Sequence, residues 1–118
     1  MTPEEMCERT MQFALRVMRL VDELPGTPAG RNVGGQLVRS SSSVASNYRA
    51  AQRARSHADF SNKIGIVLEE ADESGFWLEL IERGSLLPAE RLKSLQLEAD
   101  ELTAIFVSMK KTARSDRR

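Results

Sequence analysis

Between residues 33 and 51 the apolar and small positions Val33, Leu37, Ser40, Ser41, Val44, Tyr48 and Ala51 recur at steps of three and four. At about 100° per residue these positions share one narrow sector, opposite Arg39, Ser42, Ser46, Arg49 and Arg53. The spacing predicts a helix, even though serine and asparagine side chains compete with the backbone for its own bonds. Between the two faces runs a polar line, Gln36, Ser40, Ser43 and Asn47. Small residues let a neighbouring helix come close, and polar groups brought in with them need partners there. Lys63, Glu70 and Ser74 on the next helix are the expected partners of Asn47.

The same period organises the rest of the chain. Thr2 as N-cap, Pro3 in the first turn and Glu4 and Glu5 behind it predict a helix over 3–24. Cys7, Met11, Ala14, Leu15, Met18 and Val21 line one face of it, with Phe13, Val17, Leu20 and Leu24 alongside. Thr27-Pro28 repeats the signature for a second helix over 28–54, whose Gly30, Gly34 and Gly35 each cost up to about 1 kcal/mol relative to alanine. Close packing would have to offset that. The glycines are no phosphate loop, since no strand precedes them and no Gly-Lys-Ser/Thr follows.

Ser56 and Asp59 open a third helix, 56–83, whose core stripe is Phe60, Ile64, Val67, Leu68, Ala71, Gly75 and Leu78. Ile66, Phe76, Trp77 and Leu80 fall on the opposite side, with Glu69, Glu70 and Glu73 between. A helix that turns one side to water is polar there, so this second apolar side is a candidate oligomer interface. Gly84 ends the helix, and Pro88 starts a fourth over 88–112 with the seam Leu92, Leu95, Ala99, Leu102, Phe106 and Met109. Residues 113–118 are expected to fray. Four helical segments, three short links and no strand signal predict an all-α, antiparallel up-down-up-down four-helix bundle in one domain, 1–118.

Charge narrows the partners only through its distribution, because Lys plus Arg equals Asp plus Glu at 17 each. Arg31, Arg39, Arg49, Arg53, Arg55 and Lys63 face a single acid between 31 and 63, whereas 69–82 holds six acids and no base. Arg39, Arg49, Arg53 and Arg55, extended by the basic tail from Lys110, are candidate contacts to nucleic acid or to a neighbouring subunit. Few aromatics and zero net charge weigh against nucleic acid. Cys7 is the sole cysteine and His57 the sole histidine, neither with ligands at metal spacing, so no metal, cofactor or enzymatic activity is expected. An acidic start and no apolar run near about 18 residues predict a cytoplasmic protein without a membrane contact.

Several of these positions together resemble a known family. They are Gln36-Leu37, Arg39, Ser42-Ser43-Val44, Asn47-Tyr48-Arg49-Ala50, Arg53-Ala54-Arg55-Ser56, Asp59-Phe60, Lys63, Ile66, Glu69-Glu70-Ala71-Asp72-Glu73 and Trp77-Leu78. The family is that of the small proteins encoded in intervening sequences of 23S ribosomal RNA genes, whose fold the accessory protein of diversity-generating retroelements shares. Where many relatives continue Asn47 with Ile-Ala-Glu-Gly, this chain has Tyr48-Arg49-Ala50-Ala51. The resemblance implies a ring-like homo-oligomer, with pentamers known, nucleic-acid association for some members, and no established enzymatic activity.

Overall fold

Three of the helices begin where a side chain satisfies their free amides. In the computed structural model, which describes residues 1–115, the chain forms four helices and no strand among those residues: α1 Pro3–Val21, α2 Pro28–Ala51, α3 His57–Arg83 and α4 Ala89–Ser115. Thr2 and Glu5 close a reciprocal capping box, Thr27 Oγ1 accepts from the Gly30 amide, and Ser56 Oγ accepts from the Asp59 amide. The Asp59 carboxylate reaches one residue further back, to the Arg55 amide at 3.1 Å.

A 27-residue helix is about 40 Å long at 1.5 Å per residue. The chain measures 49 × 22 × 19 Å, so the long helices lie along its long axis. α1 packs on α2, α2 on α3 and α3 on α4, and a sparser α1–α4 contact closes the set. All seven seam positions of α2 are buried, as are Leu92, Leu95, Ala99, Leu102 and Phe106 of α4. Tyr48 meets Phe106 across the core with ring centroids 5.7 Å apart.

The helix ends correct the expected bounds. α1 stops three residues before Leu24, because Glu23 and Leu24 make only i−3 bonds and Pro25 disfavours helical backbone before it. α2 likewise stops at Ala51, with Arg53 and Ala54 in i−3 turns. α4 runs on through Ser115 where fraying was expected: Ala113 is buried and its carbonyl bonds His57 Nε2 at 2.5 Å. Residues 116–118 of the basic tail lie outside the described residues. Gly84 keeps a right-handed backbone, and the left-handed residue is Ser85, φ 55. Ser85 and Leu86 donate to Glu82 and Ile81, the paired bonds of a Schellman cap.

The face of α1 is corrected too. Its core line is Met6, Thr10, Phe13, Ala14, Val17 and Leu20, while Met11 and Met18 stay 43% and 51% exposed. Of the three glycines that weaken the start of α2, Gly30 lies against the Pro25 backbone and Gly34 against Leu24, but Gly35 faces open space. Close packing therefore accounts for two of the three.

Candidate interaction surfaces

α2 and α3 approach on small residues, and the contact carries its own polar chain. Ser74 Oγ lies 2.9 Å from both Ser40 Oγ and the Glu70 carbonyl, and Ser40 Oγ lies 3.3 Å from the Leu37 carbonyl. The two hydroxyls carry one hydrogen each, so two of these three links are made at a time. Asn47 takes no part. Its Nδ2 donates to Ser43 O at 3.0 Å and Ser43 Oγ at 2.8 Å, one turn back on its own helix, rather than to Lys63, Glu70 or Ser74. Gln36 accepts from Arg39 Nε, so the four-residue polar line is broken into local pairs and one crossing at Ser40.

Arg39 lies in an ion-pair cluster within the chain. Its guanidinium spans Glu70 and Glu73 of α3, and Glu73 also accepts the Trp77 indole N–H at 2.8 Å. The cluster lies at the surface, where salt screens it. Lys63 pairs with Asp59 at 2.6 Å. That ammonium, with the Arg55 amide behind it, holds the Asp59 carboxyl below its ordinary range. Lys110, counted with the basic tail, instead donates to the Ser61 carbonyl at 2.7 Å and its hydroxyl at 3.0 Å.

What remains exposed is more selective than the sequence implied. Arg49, Arg53 and Arg55 are exposed and in no ion pair among the described residues. The bond from His57 to Ala113 brings exposed Lys111 and Arg114 to the same end of the molecule. On α3, Ile66, Phe76 and Leu80 are 45%, 55% and 39% exposed. Trp77, grouped with them, is half-buried against the core and stacks edge-on with Phe76 at 5.0 Å.

One surface had not been foreseen. Between α1 and α2 lies a groove of about 370 Å³ lined by Cys7, Met11, Leu15 and Met18 on one side and Ser42, Ala45 and Ser46 on the other. The signal for it was present: α1 has two apolar stripes, more than one helix can turn into one core. Tyr48 is buried, and that burial pushes its phenol up. No three His, Cys, Asp or Glu side chains form a metal-binding group, and no helix is long and apolar enough to cross a membrane, among the described residues.

The sequence pattern of the family described as 23S rRNA-intervening sequence protein matches residues 4–108. The chain belongs to that family. A crystal structure of a protein of unknown function from the S23 ribosomal protein family of Bacteroides thetaiotaomicron VPI-5482 is 32% identical, with a TM-score of 0.85 over 94% of this chain and 99% of the other. No curated protein matches. Within this member of the 23S rRNA-intervening sequence family, the motif residues divide by what they touch. Arg39, Glu70, Glu73 and Trp77 tie α2 to α3, and Asp59 and Lys63 secure the link between them. Arg49, Arg53, Arg55 and Ile66 face outward, as do the motif acids Glu69 and Asp72.

Proposed function

We propose that the chain works as a non-enzymatic interaction protein, an antiparallel up-down-up-down bundle that assembles with copies of itself into a ring. Five subunits is the number the family resemblance suggests. The alternating direction is supported by the pairs Arg9–Glu98, Arg16–Ser94 and Glu23–Arg91, whose numbers rise along α1 as they fall along α4. The observation that carries assembly is the exposure of Ile66, Phe76 and Leu80 on the outward side of α3, in a chain whose core is already filled. A partner subunit would remove that surface from water. Light scattering of the purified protein at tens of micromolar tests this, with a mass of several chains expected. A strict monomer refutes it.

A second reading is favoured by the free arginines. Arg49, Arg53 and Arg55, with Lys111 and Arg114, form a basic end suited to the phosphates of RNA or single-stranded DNA. Fluorescence anisotropy with a labelled oligonucleotide should show affinity falling steeply with salt and lost on reversing Arg49, Arg53 and Arg55 to glutamate. Binding that survives the reversal removes the reading.

A further inference from the structure

The described chain leaves two apolar surfaces uncovered, on different elements. Along α3 the positions Asn62, Ile66, Glu69, Glu73, Phe76 and Leu80 step by four and three, a straight ridge whose large side chains project outward. The α1–α2 groove is its inverse in shape. Met11 and Met18 form one wall, and the α2 side is low at Ser42, Ala45 and Ser46 before Arg49 closes it. Unbranched methionine adapts to an incoming surface at little cost.

Charge decides what the ridge can meet. Exposed Glu69, Asp72 and Glu79 lie on or beside it, so pairing one α3 ridge with another copy's would bring acid against acid as water leaves. The α2 side of the groove is basic instead. Arg49 lines it, Arg53 follows one turn on, and Arg31 lines its continuation beside Val21 and Leu24. Glu4 and Glu8 stand on the α1 side, which sets an acidic ridge toward α2.

We propose that the α1–α2 groove receives the α3 ridge of a second copy of this chain. The inference rests on the assembly reading and specifies its acceptor. Because donor and acceptor are different surfaces, the contact is heterologous, and repeated head to tail it closes into a ring when the rotation divides the circle.

Complementation tests it. Met11→Glu spoils the groove and leaves the ridge intact, and Leu80→Glu does the reverse; both positions are exposed in the single chain, so each variant keeps its helicity. Each alone should be a monomer by light scattering. Mixed in equal amounts at several hundred micromolar, they should form a species of two chains and none larger. Met18→Glu replaces Met11→Glu should the latter lose helical circular dichroism. A mixture that stays monomeric, or groove variants that keep the wild-type mass, overturns the groove as acceptor while the assembly reading stands. A monomeric wild type overturns both.

Discussion

Gly30 lies in the first turn of α2, where the link from α1 folds back over it. A methyl group added there would sit 2.0 Å from the Pro25 carbonyl oxygen and 3.1 Å from its carbon. Helix propensity favours alanine over glycine by up to about 1 kcal/mol. Against this, the oxygen would have to withdraw by about 1 Å, and crowding on that scale costs about 1–3 kcal/mol. Both atoms belong to backbone, so no side chain can rotate away. Withdrawal also pulls on the Thr27 cap, which accepts from the Gly30 amide and is worth about 1 kcal/mol. Gly30→Ala should therefore lose about 1–3 kcal/mol, with Tm falling roughly 3–6 °C per kcal/mol for a chain of this length. Urea unfolding followed by far-UV circular dichroism, with wild type and variant at equal protein concentration, measures it. A variant as stable as the wild type would show that the link moves freely and that the glycine is not required by packing.

Four other substitutions isolate single interactions. Ser85→Gly should stabilise by about 0.5–1 kcal/mol, because serine holds φ 55 where glycine pays no steric penalty; a lower denaturation midpoint contradicts this. Asp59 has a depressed carboxyl pKa, so its contribution is present above the unfolded value near about 3.9 and is lost as pH falls through the folded value. The Tm gap between wild type and Asp59→Asn should accordingly hold from about pH 8 to 5 and close below about pH 4; a gap that persists in acid refutes the linkage. Asn47→Ala should be neutral within about 0.5 kcal/mol, since its bonds are local, while Ser74→Ala should cost about 1 kcal/mol through the α2–α3 crossing. Equal effects by chemical denaturation would erase that distinction.

The contrast between Asn47 and Ser74 marks how far the sequence could be read. The seam of α2 was legible because seven positions at helical steps leave only one face that can be buried, and all seven are. Direction of bonding was not, because an asparagine amide reaches the preceding turn as easily as a neighbour, and only packing decides. α1 was half legible for a related reason. Its stripes through Met11 and through Phe13 are both apolar, so period alone cannot rank them, and the rigid residues Phe13 and Val17 went inward while Met11 and Met18 stayed out. The tie from His57 to Ala113 joins residues 56 apart in sequence, and no local pattern announces it.

The exposed residues also set how strong one subunit contact can be. Full burial of a large apolar side chain is worth about 1.5–3 kcal/mol, so residues already half covered return about 1 kcal/mol each. Met11 and Met18 on one side and Ile66, Phe76 and Leu80 on the other then supply about 5 kcal/mol, against an association cost of at least about 4 kcal/mol. The smaller groove residues and the arginines facing acids must add about 4 kcal/mol for one contact to hold in the sub-millimolar range. A single contact of this kind is weak even with arginines facing acids. In a closed ring every subunit makes two contacts, and removing one subunit breaks both while freeing only one body's motion. The wild-type assembly should thus persist on dilution to concentrations where the two-variant dimer, held by one contact, has fallen apart. Sedimentation velocity over a dilution series compares them, and equal midpoints of dissociation would mean that the wild type is itself joined by a single contact per chain and forms no ring.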